Sequence, residues 1–125
     1  MSNFVVGNIF LVLSIFAASI GNVLIKAIIS DLPTDLSGMQ LLKVILLSDR
    51  IWRATLAGVL VVAGFLFWLF CLQKLPLSYA YPVACSATLV VALFSVLFLG
   101  EVLSWRLWAG TLLIALGTAL VVSQQ

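Results

Sequence analysis

The chain has 125 residues and a formal net charge of +2; 65% of its residues are hydrophobic and only 8% are charged. Soluble domains usually carry about a quarter charged residues, because their surface must face water. Six basic and four acidic side chains cannot cover a water-soluble particle of this size, so the composition excludes a soluble domain. Most of the protein must therefore be solvated by lipid.

Four apolar stretches have roughly the 17–25 residues with which a helix crosses the hydrocarbon core of a bilayer. They cover about 5–29, 54–73, 77–99 and 107–122, and the last is short enough that its ends should lie near the two interfaces. Backbone polar groups in lipid must bond within their own segment, so all four are predicted helices. The first lacks the basic start of a signal peptide, so we expect it to be retained. The sequence thus predicts an all-α integral membrane protein with one four-helix domain over residues 1–125.

The only long connection, residues 30–53, allows two interpretations. Pro33 ends the first helical stretch, and an apolar run interrupted by Lys43 follows. This run fits a short amphipathic helix that lies in the membrane interface, with Trp52 anchoring the next span. It fits equally well an ordinary loop whose apolar side chains pack against the bundle. The other two connections have only a few residues, so consecutive spans should be antiparallel neighbours.

The distribution of Lys and Arg predicts the orientation, because cytoplasmic connections carry an excess of basic residues. The first and third connections lie on one side of the membrane. Together with the end of the first span they hold five of the six basic residues, whereas Lys74 alone lies on the other side. We therefore expect these two connections in the cytoplasm and both termini outside. The five basic residues are Lys26, Lys43, Arg50, Arg53 and Arg106.

Polar and small residues recur at helical spacing within the predicted spans. Ser14, Ala18, Asn22 and Lys26 follow one another at intervals of four in the first span, which places them on one face. Spacings of three and four in the third span are typical of a helix that faces another helix. That row consists of Ser78, Tyr81, Cys85, Thr88, Ala92 and Ser95. Either row is a packing seam whose hydroxyls bond to their own backbone, or it lines a polar path.

Small residues also recur at intervals of seven in the second and fourth spans. In lipid no hydrophobic effect draws helices together, and small side chains allow their backbones to approach closely. These positions therefore predict tight helix packing in the bundle. They are Ala57, Gly64 and Cys71 in the second span and Gly110 and Gly117 in the fourth.

Lys26 is the charged residue of the first row. A Lys at the centre of a span costs roughly 2.5–3.5 kcal/mol on insertion scales, a cost that snorkelling to the interface relieves. Lys26 is therefore either a snorkelling, structural residue or part of a polar path. The first and third spans end on the same side, so Glu101 should lie at a similar depth. We expect either an ion pair between Lys26 and Glu101 or a Glu101 that favours the start of the fourth helix.

No constellation for catalysis or metal binding stands out. The sequence has no His, no glycine-rich phosphate loop and no acid outside the connections. Cys71 and Cys85 flank the turn at Pro76 unequally; at a rise of ~1.5 Å per residue their heights differ by about 7 Å, so no disulfide is expected. We expect neither an enzyme nor a metal or other cofactor, and no nucleic-acid partner.

Three stretches resemble the drug/metabolite transporter superfamily and its four-helix, small multidrug resistance-like members. They are SIFAASIGNVLIK (14–26), WLFCLQKLPLSYAYP (68–82) and FLGEVLSWRLWAGTLLIALGTALVVS (98–123). The likeness covers all four spans and is closest to the flippase subunits for aminoarabinose-phosphoundecaprenol, which have a similar Trp-Leu-x-x-Leu-Gln-x-x-Pro-x-x-x-Ala-Tyr-Pro stretch. This chain matches that pattern at Trp68, Leu69, Leu72, Gln73, Pro76, Ala80, Tyr81 and Pro82.

One departure separates the branches of the superfamily. The proton-coupled exporters of drugs and guanidinium carry a Glu in the first helix, eight residues before the Lys. Ala18 occupies that position here. The one charge of the row is the positive Lys26, so the resemblance favours a phosphate over a drug cation.

The resemblance implies a small multidrug resistance-like bundle that acts as a flippase or flippase subunit in the bacterial inner membrane. Its substrate would be a polyprenyl-phosphate-linked sugar or a similar anionic lipid, with the headgroup passing between the first and third spans. An exporter of small metabolites or drugs and a non-transporting partner of another membrane protein are the alternatives. We expect a dimer, with a homologous four-helix protein or with a second copy. The expected substrate contacts are Lys26, Asn22, Ser19, Tyr81, Trp68, Tyr79 and Glu101.

Overall fold

A computed structural model of the protein describes residues 2–123; Met1 and residues 124–125, at the ends of the predicted domain, lie outside the described residues. Six α-helices joined by short connections make up the described part, and no strand occurs in it. The helices are α1 Asn3–Ser30, α2 Gly38–Leu47, α3 Ile51–Leu72, α4 Leu77–Ala84, α5 Ala87–Leu99 and α6 Trp105–Val122. α4 and α5 form one apolar stretch, so four stretches are long and apolar enough to cross a membrane. The predicted all-α fold with four spans is confirmed, and the observed bounds differ from the predicted ones by at most three residues.

The long connection contains a helix rather than a loop packed on the bundle. α2 begins where the Ser37 amide donates a hydrogen bond to Gln40 Oε1 at 3.0 Å, which satisfies a backbone group that a helix start leaves free. α2 has no buried residue, and Met39 and Leu47 are 70% and 86% exposed. The helical interpretation of this segment is therefore confirmed, and the interpretation as a loop tucked against the bundle is wrong.

α1 is the central helix of the bundle. It packs along α3 on one side and against α5 on another, whereas α3 contacts α4 near their shared turn and has no comparable packing against α5 among the described residues. The second and third spans were predicted as neighbours because their connection is short. They are neighbours only at the turn, because α1 lies between them farther along.

Glycines allow α1 and α3 to approach closely. A Cβ added to Gly64 would lie 3.0 Å from the backbone nitrogen of Ala18, and one added to Gly21 would lie 3.1 Å from the carbonyl oxygen of Ala57. These contacts are with backbone atoms, so a Cβ at either position would force the two helices to shift by a few tenths of an ångström. The predicted close approach is confirmed at Gly64, whereas an added Cβ on Gly110 or Gly117 would meet open space.

The apolar core lies at the end of the bundle where α3 turns into α4. It is formed by buried residues of α1, the end of α3 and the start of α4, namely Leu11, Ile15, Cys71, Leu75, Tyr79 and Ala80. α6 is the outermost span, and Thr111 is its one buried residue among those described. The Thr118 hydroxyl of α6 lies 3.1 Å from the carbonyl oxygen of Pro82 in α4 and 2.9 Å from that of Ile114 in its own helix, so α6 contacts the bundle here.

The third span is broken at Cys85 and Ser86. Pro82, three residues before the break, has no N–H and cannot donate to the carbonyl oxygen of Ser78 in the preceding turn of α4. Both cysteines are free, as predicted: Cys71 is buried and Cys85 is exposed.

The prediction that the third-span row is a packing seam against another helix is wrong for its first four members in that they are not buried. Ser78, Tyr81, Cys85 and Thr88 are exposed, and only Ser95 of the row is buried. The break between α4 and α5 interrupts the regular spacing on which the prediction depended. Tyr81 and Cys85 line a shallow groove beside α6 instead.

Candidate functional site

The polar row of α1 does not stay on one face of the helix. Each step of four residues advances about 400° around a helix with 3.6 residues per turn, so the row rotates by about 40° per step. Ala18 packs against Gly64 of α3. Asn22 and Lys26 have rotated away from that contact, and the prediction that all four residues share one face is wrong for this reason.

Asn22 and Lys26 instead continue the face of Ile15 and Ser19. Residues seven apart differ by only roughly 20° around a helix, so Asn22 follows Ile15 and Lys26 follows Ser19. Ile15 and Ser19 are 8% and 1% exposed, whereas Asn22 and Lys26 are exposed. The same face of α1 is therefore covered in its middle and open towards its C-terminal end.

The packing of the spans explains this opening. α3 and α4 meet at their turn, beside Leu11 and the N-terminal half of α1. α3 and α5 have no comparable contact in the part of the chain that the structure describes, so they leave α1 uncovered between them at the far end. The result is a polar face that leads from Lys26 past Asn22 to Ser19.

Ser19 lies at the closed end of this face with an unsatisfied hydroxyl. Its Oγ is buried and has no hydrogen-bond partner in the protein. By contrast, Thr88 donates to the carbonyl oxygen of Cys85 at 2.8 Å and Ser95 to that of Ala92 at 3.0 Å, so both hydroxyls are satisfied within their own span. The packing interpretation is confirmed for Ser95, which is also buried. An unpaired buried hydroxyl costs about 1–3 kcal/mol. Ser19 Oγ is thus a buried polar atom at the inner end of this face.

The expected ion pair between Lys26 and Glu101 is wrong. Both side chains are exposed, and the ion pair found among residues 2–123 joins Arg50 and Asp31 at 3.1 Å. Gly100 ends α5 in the left-handed conformation, with φ 66°, and turns the chain away so that Glu101 lies in the following loop. The alternative role for Glu101 at the start of the fourth helix is also wrong, because α6 begins at Trp105 with Ser104 as its N-cap.

Three further predicted contacts, Trp68, Tyr79 and Tyr81, lie at the other end of the bundle. Trp68 and Tyr81 meet edge to face, with ring centroids 5.4 Å apart. Tyr79 is buried, and its hydroxyl donates to Oδ1 of Asn8 at 3.0 Å. Asn8 precedes Lys26 by 18 residues, or roughly 27 Å along α1. The structure therefore divides the predicted residues into two groups rather than one site.

Asn8 is the residue that the sequence analysis missed. Its amide nitrogen donates to the carbonyl oxygen of Phe4 at 2.9 Å, which leaves Oδ1 to accept from Tyr79. The bond ties the start of α1 to the start of α4 and closes this end of the bundle. The available signal was an amide side chain near the start of an apolar helix, where a polar group requires a partner.

The open face carries only one charge and can supply several hydrogen-bond donors. An ammonium has three donors, an amide has two and a hydroxyl has one, and the latter two also accept. Such a set suits a group with negative charge at one end and hydroxyl or amine groups at the other. Charge-assisted hydrogen bonds to phosphate are the strongest that it can form.

Comparison with known proteins identifies the family of the chain. Residues 5–123 match the model of the EamA-like transporter family. The chain is 41% identical over 70 residues to a probable 4-amino-4-deoxy-L-arabinose-phosphoundecaprenol flippase subunit ArnE of Yersinia pestis (strain Pestoides F), which covers 56% of this chain and 60% of the relative. It is 39% identical over 59 residues to the protein of that name from Aeromonas salmonicida (strain A449), covering 47% of this chain and 52% of the relative.

The matched segments thus span about half to three-fifths of the length of these curated relatives. No solved structure matches the chain. The family match, by contrast, extends over all four spans and confirms the resemblance to the drug/metabolite transporter superfamily. The chain is a multi-pass membrane protein that belongs to the EamA-like transporter family.

Proposed function

We propose that the protein is a flippase, or a subunit of one, for a polyprenyl-phosphate-linked sugar or a similar anionic lipid. The observation that carries this proposal is the face of α1 that opens at Lys26 and ends at the buried, unpartnered hydroxyl of Ser19. The relatives named for an aminoarabinose-phosphoundecaprenol flippase subunit support the substrate class. No covalent step is required, so the activity proposed is transport and not catalysis.

In the proposed mechanism the lipid phosphate binds first at Lys26. The sugar enters along α1, where Asn22 and then Ser19 form hydrogen bonds with its hydroxyl or amine groups. The polyprenyl chain stays in the surrounding lipid because it is as apolar as the bilayer. The bond between Tyr79 and Asn8 closes the opposite end, so the described conformation is the one open towards Lys26.

The packing of Ala18 supports a phosphate-bearing substrate over a proton-exchanged cation. The proton-coupled exporters that the sequence resembles carry a carboxylate at this position. Here the Ala18 Cβ lies 3.2 Å from where Gly64 would carry its own Cβ, so the site faces a tightly packed helix. Ala18 supplies no carboxylate at this contact with α3. This observation disfavours the alternative of a proton-driven drug exporter.

Substrate-dependent thermal stabilisation tests the function. Polyprenyl phosphate linked to an aminosugar should raise the melting temperature of the purified protein, because a ligand that binds only the folded state stabilises it. The matched controls are the same polyprenol without phosphate and a quaternary ammonium drug, neither of which should stabilise. Stabilisation by the drug alone would favour the exporter, and stabilisation by none of the three would favour a non-transporting partner protein.

We further propose that the protein lies in the bacterial inner membrane in one orientation and as a dimer. The outer face of α6 supports the dimer. Leu113, Leu116 and Leu120 are exposed on it, and a second helix could approach closely at Gly110 and Gly117, which have no side chain and no atom of the chain within 4 Å of an added Cβ. An antiparallel homodimer would require both orientations of one sequence, which needs balanced basic residues on the two sides. The five-to-one distribution opposes this. The first candidate is therefore a homologous partner whose Lys and Arg lie mostly in the opposite connections, so that it inserts the other way round. A parallel homodimer is the second.

Cysteine labelling of intact cells tests the orientation. Cys71→Ala and Cys85→Ser give a background without thiols, into which Ser2→Cys or Ser37→Cys is introduced. An impermeant maleimide should label position 2 from outside, whereas position 37 should react only after the membrane is opened. Comparable labelling of both positions from both sides would show dual topology and contradict the argument for a partner of opposite bias.

A further inference from the structure

A cavity with charged side chains in its wall lies where the end of α1 meets the start of α3, away from the open face of Lys26. Its volume is about 170 Å³, and it is lined by side chains from α1, from the residues on either side of α2 and from the first turns of α3. A single water needs roughly 10–15 Å³, and an engineered cavity of about 150 Å³ holds a molecule the size of benzene. The cavity can thus accommodate a small headgroup. Leu24 in its wall is two residues from Lys26, which places it about 200° around α1.

Two arginines give the cavity its charge. Nη1 of Arg50 is buried and lies 3.1 Å from Oδ2 of Asp31, so this guanidinium is already ion-paired. Arg53 lies over the ring of Trp52, 5.3 Å from its centroid, and makes no ion pair with any residue that the structure describes. With one acid and two guanidinium groups in its wall, the cavity carries a net positive charge.

An apolar groove continues from this cavity along the bundle. It has a volume of about 380 Å³ between α1 and α5, and Leu24 and Ala27 form part of both walls. The remaining lining residues are Ile20, Val23, Phe94, Phe98 and Leu99. A cationic cavity that passes directly into an apolar groove has the form of a binding site for a molecule with an anionic head and a hydrocarbon tail.

The cavity and the groove lie at the depths in the membrane that a lipid headgroup and its tail would occupy. Trp52 and Arg53 lie in the first turn of a membrane span, where aromatic and basic side chains meet the headgroup region. The groove extends from there towards the hydrocarbon core. A guanidinium binds phosphate through two parallel N–H···O bonds, and Arg50 has five N–H donors, of which the ion pair with Asp31 leaves some for a phosphate.

We propose that this bipartite pocket binds a membrane phospholipid through its phosphate, with Arg50 and Arg53 holding the headgroup and one acyl chain lying in the groove between α1 and α5. The lipid would fill the gap between these helices and fix the start of α3. This inference does not depend on what the protein transports, because the pocket and the open face of Lys26 lie on different sides of α1.

Native mass spectrometry of the purified full-length protein with added lipid tests the proposal. Phosphatidylglycerol should bind, whereas diacylglycerol, with the same tails and no phosphate, should not. Arg53→Gln should weaken phosphatidylglycerol binding by about tenfold or more, because it removes a charged partner of the phosphate. Lys43→Gln is the matched control: it removes an exposed positive charge from α2 on the same side of the membrane, outside the pocket, and should leave binding unchanged.

Two further experiments test whether the acyl groove contributes to binding in a folded protein, and whether the pocket prefers a lipid to free phosphate. Leu24→Trp fills the wall common to both parts and should abolish lipid binding with both arginines intact, in a variant whose helix content is checked by circular dichroism. Inorganic phosphate should compete only at concentrations far above those of the lipid. Equal phosphatidylglycerol binding by the Arg53→Gln and Lys43→Gln proteins would overturn the proposal. Loss of binding in Lys26→Met would also overturn it, because the lipid would then bind at the open face.

Discussion

Replacing Lys26 by Met should abolish transport while the protein still inserts and folds. Lys26 is exposed and makes no ion pair among the described residues, so its removal breaks no contact that stabilises the bundle. It also removes a charge whose burial in lipid is unfavourable. A charged hydrogen bond is worth about 1.5–3 kcal/mol, so affinity for the phosphate-bearing lipid should fall by roughly ten- to a hundredfold.

Transport of a fluorescent polyprenyl-phosphate sugar in proteoliposomes, together with the melting temperature, measures both effects. Lys26→Arg keeps the charge and should retain part of the activity, although a planar guanidinium does not reproduce the geometry of an ammonium. Lys43→Met serves as the matched control, since it removes an exposed Lys from α2 on the same side of the membrane. Normal transport by a folded Lys26→Met protein would exclude the phosphate contact and leave Lys26 as a snorkelling residue.

The spans could be predicted from the sequence because the thickness of the bilayer sets their length. Charge and apolar length alone determine where a helix can cross hydrocarbon, and no tertiary contact changes that requirement. The predicted end of the third span, residue 99, is the observed one, because Gly100 adopts a left-handed conformation that ends the helix. The helix in the long connection was one of two open interpretations, since an apolar run beside Lys43 does not reveal what covers it.

The arrangement of the site could be predicted only in part. Asn22 and Lys26 were selected as polar residues within a span, and the structure places them on one open face. The extent of that face depends on which helices flank α1, and a short connection between two spans does not determine whether they stay in contact. The bond between Asn8 and Tyr79 joins residues 71 positions apart, and no local pattern pairs such partners.

A bulky residue at position 64 should destabilise the protein far more than the same residue at position 58. A Cβ on Gly64 would lie 3.0–3.3 Å from the nitrogen, Cβ and Cα of Ala18. Two of these are backbone atoms that cannot move without shifting α1, so Gly64→Leu must push the central helix away from α3. Overpacking of this kind costs typically about 1–3 kcal/mol, and more where the backbone has to move. Gly58→Leu, in the same helix, meets no atom within 4 Å.

Unfolding in a graded series of detergent mixtures compares the two variants directly. Gly58→Leu should match or exceed the stability of the parent protein, because Leu favours a helix by roughly 0.5–1 kcal/mol over Gly. Gly64→Leu should lose stability and also transport, since the open face lies on the helix that is displaced. Adding Ala18→Gly to Gly64→Leu should restore only part of the loss: it removes the Cβ at 3.2 Å but leaves the backbone nitrogen at 3.0 Å. Equal stability of the Gly58→Leu and Gly64→Leu proteins would show that α1 and α3 do not approach at Gly64, and the face leading to Ser19 would then lose its structural basis.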